Sequence, residues 1–66
     1  MLDLEQARDT LESKFDFDYV ESEGDDCVRF DYGDNSVWIY RDGCTEGLAT
    51  MPKTIQTCIN HLPGIK

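Results

Sequence analysis

The sequence predicts a small α+β fold, a single domain spanning residues 1–66, with elements in the order α-β-β-β-α. The first observation is a helical spacing of apolar residues near each end of the chain. The second is an alternating, strand-like spacing of apolar and polar residues between those ends. The third is a set of glycine-containing turns, which favour an antiparallel meander of three or four strands with both helices packed on one face.

The first helix is predicted over residues 3–14. Asp3 is a suitable N-cap, and Gln6 follows three residues later, where it can complete a capping box. The apolar residues that recur at helical spacing are Leu4, Ala7, Leu11 and Phe15.

The first strand is predicted to begin at Phe15, where the apolar period changes from about 3.6 residues to about 2. Phe15, Phe17 and Tyr19 alternate with Asp16 and Asp18. We therefore expect the three aromatics on one face of the strand and the two aspartates on the other.

Two further strands are predicted at residues 27–32 and 37–40. The second of these is apolar on both sides, so we expect it to be central or covered by a helix. Asp42-Gly43 is a tight-turn signal that can start a short fourth strand at residues 44–46.

The second helix is predicted over about residues 52–62. Pro52 suits the first turn, and Pro63-Gly64 ends the helix. Its apolar residues are Met51, Ile55, Cys58, Ile59 and Leu62.

The α-β-β-β-α order resembles that of double-stranded-RNA-binding domains. Those modules hold phosphates with a lysine-rich surface, whereas this chain offers only Lys53 and Lys66 at the corresponding end. We therefore expect no direct contact with nucleic acid.

The charges are divided unevenly along the chain. Residues 1–34 contain twelve acidic and three basic residues, a net charge of −9, and residues 35–66 contain two acidic and three basic residues, +1. Such asymmetry disfavours nucleic-acid binding and favours a basic partner.

Our main hypothesis is that these acids form a nucleic-acid-mimicking surface. Carboxylates on one side of a strand repeat about every 6.6–7 Å. This distance is on the order of the spacing between successive phosphates of one nucleic-acid strand. Such an array would fit the basic surface of a nucleic-acid-binding protein. The predicted partner-binding residues are Asp16, Asp18, Glu21, Glu23, Asp25 and Asp26, with Glu5, Asp9 and Glu12 from the first helix.

The small size and one-sided acidity resemble, in kind and not in motif, the anti-restriction and anti-CRISPR inhibitors of phages and mobile elements. This resemblance implies a viral or mobile-element inhibitor that acts in the host cytoplasm. A plainer interpretation is that the acids only keep an aromatic-rich sheet solvated.

The alternative hypothesis is a structural or adaptor module. Trp38 and Tyr40 point away from Val37 and Ile39, so one of the two pairs is expected to be exposed. An exposed Trp38/Tyr40 face would make a homodimer or adaptor contact. Both a monomer and a homodimer are compatible with the sequence.

We predict neither a metal nor another cofactor. Cys27, Cys44, Cys58 and His61 have ligand chemistry suited to zinc, but Cys27 and Cys44 are isolated whereas zinc ligands usually come in close pairs. The odd thiol count favours free cysteines, and the acids do not follow the EF-hand spacing.

We also predict that the protein is not an enzyme. His61 is the single histidine, and no acid or nucleophile accompanies it in a recognisable motif. A chain of this size has little room for a catalytic pocket. The first residues lack a signal-peptide pattern and no apolar run could span a bilayer, so we expect a cytoplasmic protein without membrane contact.

Overall fold

The computed structural model describes residues 2–66 and confirms the predicted α+β architecture. Four strands form one antiparallel sheet in the order β1-β2-β3-β4, so consecutive strands are neighbours, as in a meander. The elements are α1 (Leu4–Lys14), β1 (Tyr19–Glu23), β2 (Cys27–Tyr32), β3 (Asn35–Tyr40), β4 (Thr45–Glu46) and α2 (Lys53–Asn60).

The first helix begins where the sequence predicts because Asp3 caps it. The carboxylate of Asp3 accepts a hydrogen bond from the backbone N–H of Gln6 at 3.2 Å. Ala7 and Leu11 are buried against the sheet. The helix ends before Phe15, whose backbone is already extended.

The core lies between both helices and one face of the sheet, which we call the inner face. Val28 and Phe30 of β2 and Val37 and Ile39 of β3 are each at most 2% exposed. The helices contribute buried residues to this same cluster, namely Ala7, Leu11, Ile55 and Ile59. Both helices therefore cover one side of the sheet, as predicted.

The first strand begins at Tyr19, four residues later than predicted, because β2 ends at Tyr32 and the pairing cannot continue far beyond this point. Tyr19 pairs with Asp31, and continuing the pairing would set Phe17 opposite Gly33, where the chain already turns. The backbone bends at Asp18, so Phe17 packs against the core whereas Tyr19 is 48% exposed. The predicted common face of the three aromatics is wrong.

Smaller differences occur in the second half of the chain. Pro52 is the N-cap of α2, and the helix ends at Asn60, so it is shorter than predicted. Leu62 is nevertheless buried just beyond the helix. The link to α2 contains a turn of 3₁₀ helix, Leu48–Thr50, that the sequence pattern did not indicate.

The turn between β3 and β4 holds both ends of the described chain. Gly43 adopts a left-handed conformation, with φ 95°, and its N–H donates to the carbonyl of Tyr40 at 2.9 Å. The N–H of Leu2 donates to Arg41 O at 3.1 Å, and that of Lys66 donates to Gly43 O at 3.0 Å. The turn therefore fixes the chain ends beside the sheet.

Candidate functional site

The sheet has a second face, directed away from both helices, which we call the outer face. Trp38 and Tyr40 lie there and are half-buried, whereas Val37 and Ile39 on the inner face are fully buried. The sheet residues that belong to the buried core cluster, Val28, Phe30, Val37 and Ile39, all lie on the inner face. The strand register assigns Tyr19, Glu21, Glu23, Cys27, Arg29, Asp31, Ser36, Trp38, Tyr40 and Glu46 to the outer face.

A row of directly paired residues crosses the outer face. Glu21 of β1 pairs with Arg29, Arg29 pairs with Trp38, and Trp38 pairs with Glu46 of β4. The Arg29 guanidinium carbon lies 5.6 Å from the centre of the Trp38 ring, within cation–π range. Because neighbouring strands are about 4.8 Å apart, the two glutamates stand roughly 14 Å apart, with a cation and an aromatic ring between them.

Arg29 is held by a hydrogen-bonded network on the outer face. It donates to both carboxylate oxygens of Asp31, at 2.9 and 3.1 Å, and Ser36 Oγ donates to the same carboxylate at 2.7 Å. The hydrogen bond from Ser36, followed by that from Arg29, lowers the pKa of Asp31. The arginine charge is therefore neutralised within the protein.

Two tyrosines orient carboxylates at the edges of this face. The hydroxyl of Tyr19 donates to Glu21 at 3.0 Å, and that of Tyr40 donates to Glu46 at 3.1 Å. In each case the hydrogen bond to the carboxylate is the largest cause of a raised tyrosine pKa. Both glutamate carboxylates are therefore held in place by neighbouring side chains.

A second acidic surface lies between α1 and the β1–β2 turn. This helix groove has a volume of about 820 Å³. Arg8 crosses part of it, donating to Glu12 at 2.6 Å and to Ser22 Oγ at 2.7 Å. The charged residues that line the groove are Asp3, Glu5, Asp9, Glu12, Asp25, Arg8 and Arg41.

The predicted acids of the first strand do not form one row. Glu21 and Glu23 share the outer side of β1, but Asp16 and Asp18 precede the strand. The carboxylate of Asp18 accepts from the N–H of Gly33 at 2.6 Å, in the turn between β2 and β3. The strand therefore contributes only two same-side carboxylates to any repeating array.

The other predicted acids lie at the opposite end of the strand or on the helix. Asp25 and Asp26 belong to the β1–β2 turn, and Asp25 lines the helix groove. Glu5, Asp9 and Glu12 project from α1 and line the same groove. The predicted contact residues thus divide between the outer face, the helix groove and the segment before β1.

Most of these acids make no ion pair within the protein. The ion pairs among residues 2–66 are Arg8–Glu12, at 2.6 Å, and Arg29–Asp31, at 2.9 Å. Eleven of the twelve acids in residues 1–34 are exposed, and ten of the twelve have no ion-pair partner in the described part of the chain. The fold leaves this charge uncompensated.

Sequence reasoning missed Arg29 and Glu46 as members of the outer face. Turn length was the signal that could have found Arg29. A two-residue turn at Gly33-Asp34 fixes the β2–β3 register, which sets Arg29 opposite Trp38.

The candidate zinc ligands are not gathered at one place. Cys27 is buried on the outer face, Cys44 is exposed after the β3–β4 turn, and Cys58 lies on α2. Within residues 2–66, no group of three or more His, Cys, Asp or Glu residues could hold a metal ion. All three cysteines are free thiols.

A second depression, of about 440 Å³, lies between the two helices. Cys58 and His61 line it, and His61 is exposed. In the described residues no side-chain hydrogen bond links His61 to an acid.

Neither helix within residues 2–66 has the length and apolar character needed to cross a membrane.

No protein-family model, curated protein or solved structure matches this chain.

Proposed function

We propose that this chain is a small acidic binding protein that occupies the basic surface of a nucleic-acid-handling protein and thereby inhibits it. One observation supports the proposal above all: ten of the twelve acids in residues 1–34 have no ion-pair partner among residues 2–66. Crowded like charges destabilise a compact fold, and a domain of this size has only about 3–5 kcal/mol of stability. A cationic partner would offset that repulsion.

The distribution of these acids suits a broad contact. They occur on α1, before β1, along β1 and in the β1–β2 turn, so a partner would meet negative charge from several directions. A surface that binds the nucleic-acid backbone presents many Lys and Arg side chains, and such a surface matches this pattern. A restriction or CRISPR nuclease in a host cytoplasm is the kind of target that we propose.

Capture followed by competition tests the proposal. The tagged protein would be mixed with bacterial lysate at low and at raised salt, and captured proteins would be identified by mass spectrometry. We expect a nucleic-acid-binding protein that is released by salt, because salt screens exposed charges. Added to the purified partner, the chain should displace labelled nucleic acid.

The test variant reverses carboxylates that make no side-chain hydrogen bond or ion pair in the described residues. It carries Glu5→Lys, Asp9→Lys, Asp16→Lys and Glu23→Lys. We expect it to fold, as circular dichroism would verify, and to lose both capture and displacement. Displacement as strong as that of the parent protein would refute the proposal.

A structural or adaptor role is the second candidate, and the uncovered position of Trp38 and Tyr40 on the outer face favours it. Self-association through this face predicts a mass that rises with protein concentration and depends weakly on salt. Sedimentation equilibrium would measure the mass at several protein and salt concentrations. The Trp38→Leu variant is expected to stay monomeric.

A further inference from the structure

We infer that the outer face, and not the helix groove, receives the basic partner, with an arginine or lysine side chain of the partner placed against Trp38. Glu46, which pairs with Trp38, would lie beside that cation, and Glu21 and Glu23 would contact other basic side chains of the same partner. The inference rests on the proposed function and assigns its contact site.

Charge alone does not distinguish the two surfaces. The outer face carries four carboxylates and one arginine, and the helix groove is lined by five carboxylates and two arginines, so each has a net charge of −3. Long-range attraction of a basic partner would therefore be similar at both. Short-range chemistry must decide between them.

Aromatic surface is the first difference. The lining of the helix groove contains no Trp, Tyr or Phe, whereas Trp38, Tyr40 and Tyr19 lie on the outer face. Arg29 lies 5.6 Å from the Trp38 ring centre, within cation–π range, and its charge is paired with Asp31. Trp and Tyr dominate the energetic centres of protein interfaces, and their rings attract cations.

Side-chain order is the second difference. On the outer face, Tyr19 and Tyr40 already hold the carboxylates of Glu21 and Glu46 by hydrogen bonds of 3.0 and 3.1 Å. A carboxylate that is fixed before binding loses less conformational freedom when the partner arrives. In the groove, Glu5 and Asp9 are exposed and make no side-chain hydrogen bond or ion pair in the described residues.

A second copy of this chain fits the outer face poorly. A two-fold dimer would set this face against its own copy, so two surfaces that each have a net charge of −3 would repel each other. Neighbouring strands are about 4.8 Å apart and outward residues along a strand are about 7 Å apart, so the outer face of four strands covers roughly 300 Å². A stable interface buries about 800 Å² on each partner. A strand, helix or loop projecting from a basic protein matches both the area and the charge.

The test uses a fluorescein-labelled oligoarginine peptide as the probe, with binding followed by fluorescence anisotropy at low salt. Trp38 is the single tryptophan of the chain, so its own fluorescence reports directly on the outer face. We expect the peptide to change Trp38 fluorescence over the same concentration range as the anisotropy. Binding without a Trp38 response would overturn the inference.

Two matched variants compare the surfaces, each removing three charges from a net charge of −8. The outer-face variant carries Glu21→Gln, Glu23→Gln and Glu46→Gln. The groove variant carries Glu5→Gln, Asp9→Asn and Asp25→Asn. We expect the outer-face variant to bind the peptide at least about tenfold more weakly and the groove variant to lose less than about threefold.

The outcomes separate this inference from the proposed function. A groove variant that loses as much affinity as the outer-face variant, or more, would overturn the contact site while leaving an acidic binding function intact. Full affinity in both variants would overturn both claims.

Trp38→Leu keeps apolar bulk but removes the aromatic ring. It should weaken peptide binding by about fivefold if the ring attracts the cation, with folding checked by circular dichroism. Parent-like affinity in this folded variant would overturn the role of Trp38.

Discussion

The two faces of the sheet are built from the same strands but differ in burial and in chemistry. On the inner face Phe30 pairs with Val37, and both are 0% exposed. One residue earlier on β2 and one residue later on β3, Arg29 pairs with Trp38 on the outer face, and both are half-buried. Removal of apolar area from water makes the inner face the main source of stability. The outer face is held by polar contacts and leaves aromatic and acidic groups accessible, so stability and binding should respond to different substitutions.

The largest loss of stability is expected from Phe30→Ala. Phe30 is 0% exposed and its ring lies 5.0 Å from that of Phe17. Truncation of a buried Phe to Ala costs about 3–5 kcal/mol, close to the whole stability expected for a domain of this size, about 3–5 kcal/mol. Far-UV circular dichroism should show a mostly unfolded chain.

Tyr19→Ala is the matched aromatic truncation on the outer face, where the ring is 48% exposed. Its cost should stay under about 1 kcal/mol, as for most exposed positions. Urea unfolding measures the difference. Equal losses for Tyr19→Ala and Phe30→Ala would show that the two faces do not differ as the structure indicates.

The next largest effect is expected where the chain end is joined to the sheet. In Gly43→Ala, the new Cβ would lie 2.1 Å from the carbonyl oxygen of Gly64, so the C-terminal segment must move. Gly33→Ala is the control, because Gly33 also has positive φ, 62°, but nothing lies within 4 Å of the new Cβ. The control should cost about 1–2 kcal/mol from backbone strain alone.

Gly43→Ala should be less stable than Gly33→Ala by about 1 kcal/mol or more, since it adds a backbone clash to the same strain. Urea unfolding of both variants provides the comparison. The amide of Lys66, which donates to Gly43 O at 3.0 Å, should also exchange its hydrogen faster in Gly43→Ala only. Equal stability in the two variants would mean that the C-terminal segment is not tied to this turn in solution.

The elements could be predicted from the sequence because each depends on local pattern. Asp3 supplies a cap, the apolar period changes twice, and Asp42-Gly43 has the chemistry of a tight turn. The start of β1 could not be predicted from the local sequence pattern. It depends on where β2 turns at Gly33, which removes the backbone partner that Phe17 would need.

The candidate site was predicted only in part for the same reason. The position of Trp38 opposite to the buried Val37 follows from alternation within one strand. The contacts of Trp38 with Arg29 and its pairing with Glu46 depend on the register of three strands. The acids of residues 16–26 were identified by composition, but the bend at residue 18 and the turn at 24–26 direct them to different surfaces.

A smaller, pH-dependent effect is expected from Asp31→Asn on the outer face. Hydrogen bonds from Ser36 and Arg29 lower the pKa of Asp31. A carboxyl whose pKa is lower in the folded state adds stability above its ordinary range, and that stability is lost as pH falls through the lowered pKa. Part of the unfolding free energy of the parent protein should therefore be lost at acidic pH, and the Asp31→Asn variant should lack that part.

Urea unfolding at neutral pH, and again at a pH below the ordinary pKa range of aspartate, would measure the stability that is lost in acid. Asp16→Asn is the control, because it removes one exposed negative charge that has no ion pair in the described residues. Ser36→Ala should reproduce the Asp31→Asn result in part. If Asp31→Asn and Asp16→Asn behave alike, the network on the outer face adds nothing to stability.

The smallest effect is expected at the edge of the outer face, in the pair Tyr40 and Glu46. The Tyr40 hydroxyl donates to Glu46 at 3.1 Å, and this bond is the largest cause of a Tyr40 pKa raised above the ordinary 10.0. A raised pKa adds stability that is complete below the ordinary tyrosine range and is lost as pH rises through the folded value. Glu46→Gln should lower the Tyr40 pKa, while the Tyr19 pKa, raised mainly by the hydrogen bond to Glu21, should stay raised. Titration of the tyrosine ring resonances by NMR would follow both residues, and an unchanged Tyr40 pKa would mean that Glu46 is not fixed in advance for a cationic partner.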